Sequence, residues 1–284
     1  AAFYVGILNA QPMGFYSPAT LMHDARRHGV EVRPPCLRDG GVDCALVPTA
    51  VRSQPALRVG WRFIRGMGAV GLTELEVARA AGPFTGIADV VRRAGLSRTD
   101  ALALARAGAF GAWEPERRAA AWMALGLVGD RLPLAPVRSV PAPMRPLTRR
   151  ARVFLDYFAT GMCLDGHPME FLRDRLAERG VHDSRSFLLL RGGERIMAAG
   201  LVIVRQRPAS AKGTHFILLE DERGFINVIV PKDTVSKYLE VVRFGMFLLI
   251  AGRFQRDGAE VNLIAERLRV LRVRGLVHNS HDFR

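Results

Sequence analysis

Lysine is nearly missing from this chain. Of 41 basic residues among 284, only Lys212, Lys232 and Lys237 are lysines; the rest are arginines. With alanine, glycine and valine abundant, that skew marks a GC-rich coding sequence, so part of the arginine reflects codon usage rather than binding. Cysteine is scarce as well. Cys36, Cys44 and Cys163 are scattered and odd in number, which excludes a disulfide framework and fits a reducing compartment, here the cytoplasm. The spacing of Cys36 and Cys44 is not a zinc pattern, and buried or loop thiols are expected. No run approaches the roughly 18–20 apolar residues that span a bilayer, so no membrane partner is expected. The opening AAFYVGILNAQPMGF carries Asn, Gln and Pro and no basic lead; it reads as the interior of a longer protein, not as a signal peptide.

Catalytic signatures are missing too. Two-metal phosphoryl transfer needs converging carboxylates, yet no Asp-x-Asp pair occurs. There is no Walker loop and no Gly-x-Gly-x-x-Gly opening a helix. Glu220-Asp221-Glu222 reads as a solvated acidic turn. His278 and His281 fall in a carboxy-terminal tail and read as part of a disordered or docked tail rather than a metal site. No catalytic residue and no metal or cofactor site is expected, which argues against an independent nuclease.

What is present is length for two or three domains and a net charge of +14, which suits a polyanionic partner, nucleic acid first. The expected class is α+β multidomain. Residues 1–56 are mixed α/β, with Ser17 capping, Pro18 opening and Gly29 ending a helix, followed by strands in VEVRP and DCALVPTAV. Residues 57–130 read as short helices broken by glycine turns. Residues 131–195 form a Pro/Arg-rich linker, with five prolines and six arginines before residue 153, and a helical connector. Residues 196–274 switch to a strand period: IMAAGLVIVR, THFILLE, FINVIVP, then a helix in KDTVSKYLEVV, then MFLLIAGRF and EVNLIAERLRVL, with Asp257-Gly258 turning the last pair. That order is a five-stranded OB-type β-barrel. Residues 275–284 are a tail.

Two constellations suit nucleic acid. Ile64-Arg65-Gly66-Met67-Gly68 has the glycines of a helix-hairpin-helix, which let backbone approach a phosphate and present amides at the next helix start. Arg62, Arg65 and Arg79 add charge, and such contacts read no bases. Ala94-Gly95-Leu96-Ser97 lacks the Gly-x-Gly form and reads as structural. In the barrel, Phe216, Phe225 and Phe254 are candidate stacking platforms, with Arg205, Arg207, Lys212 and Arg253 as phosphate partners. Alternation places Phe216, Leu218 and Glu220 on one outward face. In the linker Arg138, Arg145, Arg149, Arg150 and Arg152 track phosphate, dock on an acidic partner or serve as a solubilising tether.

The stretch FYVGILNAQPMGFYSPATLMHDARRHGVEVRP resembles the end of the fingers region of bacterial C-family DNA polymerases, in the error-prone branch often called ImuC. ALRVGWRFIRGMG, LARAGAFGAW and YFATGMCLDGHPMEFLR are similar to the hairpin module and the segment after it. GTHFILLEDERGFINVIVP looks like that family's OB domain, and SHDFR its carboxy terminus. The resemblance implies a DNA-directed DNA polymerase of translesion synthesis, whose upstream palm and PHP domains are not in this chain; Mg2+ belongs to that palm, and this part alone would be inactive. It implies recruitment by an ImuB-type Y-family-like protein with an ImuA-type accessory protein, for which the linker arginines Arg145, Arg149 and Arg150 and the tail are the candidate surfaces. No glutamine lies between Gln54 and Gln206, where replicative relatives carry a clamp-binding motif, so a sliding clamp is engaged only indirectly. A protein-docking platform with little DNA contact is the competing reading.

Overall fold

The computed structural model describes residues 1–13, 17–49, 54–128 and 144–271. Two units divide the chain, Ala1–Asp165 and Gly166–Arg284; the connector expected over 131–195 contributes to both.

In the first unit α1 (Ala2–Asn9) and α2 (Pro18–Arg27) precede a small sheet. The expected punctuation of α2 is present: Ser17 Oγ accepts the Thr20 amide at 3.2 Å, Pro18 occupies the first turn, and Gly29 leaves at φ +74°. Leu21, Met22 and Ala25 form its buried face, the spacing of an amphipathic helix. The Tyr4 hydroxyl on α1 donates to Asp24 on α2 at 2.6 Å. Strands β1 (Val32–Arg33), β2 (Ala45–Val47) and β3 (Ala56–Arg58) follow in the order β1-β3-β2, β1 parallel and β2 antiparallel to β3. The sequence led us to expect a helical pattern from Leu57. Pairing on both sides, with Ala56 and Leu57 fully buried, overrides the weak β-preference of these residues.

The helical module comprises α3 (Ala69–Ala80), α4 (Ile87–Arg93), α5 (Arg98–Arg106) and α6 (Arg117–Leu127). Trp61, Leu75, Val90, Leu104 and Phe110 fill its core, and Trp61 Nε1 donates to the Cys36 carbonyl at 3.0 Å, so its one polar atom is satisfied. Helix α7 (Arg149–Thr160), capped by Thr148, is held through Asp156, buried against Arg117 at 2.6 Å. Burial pushes the Asp156 carboxyl up and Arg117 opposes it. All three cysteines are free and buried, as expected.

The second unit opens with a 3-10 turn (Pro168–Leu172), α8 (Arg173–Ala177), β4 (Val181–His182) and α9 (Ser184–Phe187). Strands β5 (Arg195–Gln206), β6 (His215–Glu220), β7 (Phe225–Val230), β8 (Phe247–Asp257) and β9 (Glu260–Val270) form the barrel, with α10 (Lys232–Lys237) and α11 (Leu239–Phe244) between β7 and β8. Strand order is β4-β5-β6-β7-β9-β8, closed by β5 against β8, the order expected for an OB barrel.

Two local expectations fail. The acidic turn is not solvated: Asp221 accepts the Ser184 amide and hydroxyl at 2.6 Å each, and Arg173 reaches Asp221 at 3.3 Å and Glu222 at 2.6 Å. Glu220 lies on the outward side of β6 yet is fully buried. Phe254, a candidate platform, is also fully buried, edge-to-face with Phe187 at 4.8 Å. Arg173 of α8 and Ser184 of α9 cover the acidic turn, whereas Phe254 faces the barrel core.

Candidate nucleic-acid interface

The first hairpin begins with a 3-10 turn over Trp61–Phe63 that buries Ile64. Gly66 follows at φ +85°, a conformation that a side chain resists. Gly68 caps α3 at φ −75°, and a Cβ there would meet no atom of the protein within 4 Å. Among the described residues nothing crowds a Cβ at Gly68, so close packing does not demand the glycine; as the N-cap of α3 it is favoured over alanine. Arg65, Gly66, Gly68, Ala69 and Val70 are all exposed. The Arg65 amide donates to the Ala159 carbonyl at 2.7 Å, and its guanidinium lies against Gly161, 6.0 Å from the Tyr157 ring centroid. Arg62 pairs with Asp43 at 2.9 Å and donates to the Asn9 carbonyl. Arg79 is half-buried in the last turn of α3. The second hairpin has Gly95 at φ +55°, buried Leu96, and Ser97 capping α5 through the Asp100 amide at 3.1 Å.

On the barrel, register links a series of outward residues from strand to strand around its circumference. Phe216 lies beside Ile229, Ile229 beside Ile264, Ile264 beside Arg253, and Arg253 beside Arg195. Phe216 is 37% exposed; Arg253 and Arg195 are exposed, and Arg195 pairs with Glu266 at 3.4 Å. The inward neighbours Ile217, Val228, Leu263 and Phe254 form the core. Phe216 and the two isoleucines form an apolar stretch suited to stacking, and Arg253 and Arg195 continue the series farther round the barrel. Phe225 is half-buried opposite Glu220. Arg207 and Lys212 are exposed in the β5–β6 loop, and Lys232 runs along it, 3.2 Å from where a Gly213 Cβ would stand. Arg195, Ile229, Ile264 and Lys232 went unnoticed in the sequence; only strand register and loop packing bring them in.

The helix-hairpin-helix motif family matches residues 29–120, and the OB-fold nucleic acid binding domain family matches residues 196–271. Error-prone DNA polymerase 2 of Rhizobium meliloti (strain 1021) is 39% identical over 279 residues, covering 94% of this chain and 26% of the relative. The error-prone DNA polymerase of Anaeromyxobacter dehalogenans (strain 2CP-C) is 42% identical over 273 residues, 93% of this chain and 24% of the relative. That of Methylococcus capsulatus (strain ATCC 33009 / NCIMB 11132 / Bath) is 37% identical over 308 residues, 100% of this chain and 29% of the relative. The chain is homologous to the carboxy-terminal part of error-prone DNA polymerases. It spans about a quarter of their length.

The remaining candidates separate. Arg205 is exposed but engaged: its guanidinium donates to the carbonyls of Val242, at 2.8 Å, and Gly245, at the end of α11. Arg149 donates to the Asp165 carbonyl at 3.2 Å, Arg150 lies 5.9 Å from the Phe154 ring centroid, Arg152 pairs with Asp165 at 3.8 Å, and Arg145 is exposed. Arg138, His278 and His281 lie outside the described residues. Among the described residues no helix is long and apolar enough to cross a membrane.

Proposed function

We propose that this chain is the DNA-holding part of an error-prone DNA polymerase of translesion synthesis. The first hairpin holds the duplex by its backbone, and the series from Phe216 to Arg195 takes single-stranded template. The observation that carries this reading is the exposed start of α3 behind Gly66 and Gly68, where amides favour phosphate. The whole protein adds nucleotides to a primer 3′ end through a palm upstream, where Mg2+ binds, in the bacterial cytoplasm; this part alone does not polymerise. Arg145, Arg149 and Arg150 supply a basic surface for an ImuB-type partner acting with an ImuA-type protein, and the sliding clamp is reached through that partner. The alternative is a docking platform that scarcely touches DNA, favoured by Trp122, 55% exposed on α6.

The test is binding of the 284-residue chain to fluorescent primer–template and single-stranded DNA across a salt series. Affinity is expected to fall steeply with salt. Gly68→Ala is expected to weaken duplex binding severalfold while costing no more than the roughly 1 kcal/mol of an N-cap glycine replaced by alanine. Phe216→Ala is expected to lose about 1–3 kcal/mol on single strands. A chain that binds no DNA at low salt moves the role to partner docking.

A further inference from the structure

Asp100 stands in the first turn of α5, and its carboxylate reaches the start of α3. Oδ1 accepts the Gly68 amide at 3.3 Å, and Oδ2 accepts the Ser97 hydroxyl at 2.5 Å. Gly71 makes the room: a Cβ there would lie 2.9 Å from Asp100 Cγ and Oδ1 and 3.0 Å from Oδ2. The helix end assigned above to DNA phosphate therefore already carries an anion belonging to the chain itself. A carboxylate and a phosphate are drawn to the same positive end by the same amides, and they repel each other across the few ångströms between them.

Resting on the hairpin reading above, we propose that Asp100 is a built-in competitor that limits how tightly the first hairpin holds the DNA backbone. Ser97 positions it and Gly71 admits it, so the second hairpin, which reads as purely structural by itself, sets the strength of the first. The grip is thereby graded: firm enough to orient a duplex, weak enough to release it. A mere structural cap differs in sign. Removing a cap loosens the hairpin and weakens DNA binding, whereas removing a competitor tightens it.

Asp100→Asn keeps the shape and an oxygen for the Gly68 amide while removing the charge. Duplex binding by the full chain at low salt is expected to tighten about three- to tenfold. Asp100→Ser is the second neutral variant, and circular dichroism and melting confirm folding of each. Asp100→Glu keeps the charge and is expected to bind as the unmodified chain does; tightening there too would assign the effect to shape and overturn the proposal. A folded neutral variant that binds equally or more weakly also overturns it. Gly68→Ala in parallel separates the two readings. If Gly68→Ala weakens binding while Asp100→Asn fails to tighten it, only the competitor falls. If Gly68→Ala changes nothing, the hairpin grip falls and the competitor with it.

Discussion

Arg93, Arg117, Arg173, Arg205 and Arg256 turn their guanidinium groups onto carbonyls or carboxylates of their own unit; Arg253, like Arg205 and Arg256, is exposed. Counterion release counts only cations that reach phosphate, so a formal charge of +14 overstates the grip. Arg253→Ala is expected to shallow the salt dependence of single-strand binding by about 0.7 in log–log slope. Arg205→Ala is expected to lower the melting temperature and leave that slope unchanged; equal slopes for both variants would refute the division. A titrating residue gives a second check. Burial pushes the Asp24 carboxyl up but is outweighed by the Tyr4 hydroxyl, then by His28 and Arg27, so it sits below its ordinary value. Its stabilisation is therefore complete above the unfolded carboxylate value of about 3.9 and is lost as pH falls through the lower folded value. Asp24→Asn is expected to cost less than about 1 kcal/mol at pH 7, since the pair is part-exposed. The melting-temperature gap to the unmodified chain should close below about pH 4, and a gap that widens in acid contradicts the assignment.

Between elements, the two hairpin glycines separate stability from binding. Gly66, at φ +85°, has a conformational need, and Gly66→Ala is expected to cost about 1–2 kcal/mol; Gly68 has only the smaller preference of an N-cap, and its change is expected to show chiefly in DNA binding. Urea unfolding of both variants decides this, and similar destabilisation by the two removes the argument for Gly68. Both glycines were visible in the sequence because a helix end, a Gly-x-Gly turn and a helix start are local signals. The five barrel strands and the Ser17 cap were visible for the same reason. The burial of Asp221 was not, since it depends on Ser184 and Arg173 arriving from elements distant in sequence. The series from Phe216 to Arg195 was half visible. Alternation gave its side, but its membership follows from registers across β6, β7, β9, β8 and β5, which no local pattern encodes. The reach of Asp100 to Gly68 is likewise a tertiary fact that no local pattern encodes.

At the scale of the molecule, the two units have separate cores, and each should unfold as its own cooperative transition. Residues 166–284 expressed alone are expected to reproduce one of the two calorimetric transitions and to keep single-strand binding while losing the duplex preference. One transition for the whole chain, with an unfolded isolated barrel unit, would show that neither core suffices. The three lysines carry a last consequence of this division. Lys212, Lys232 and Lys237 are exposed and all fall in the second unit. Guanidinium groups keep their charge at any physiological pH, and acylation of lysine removes one. Apart from the chain's own amino terminus, an acetyl donor or an amine-coupling dye can change charge only on the barrel's loop and α10, leaving the positive surface around the hairpins as a constant that neither pH nor amine chemistry adjusts.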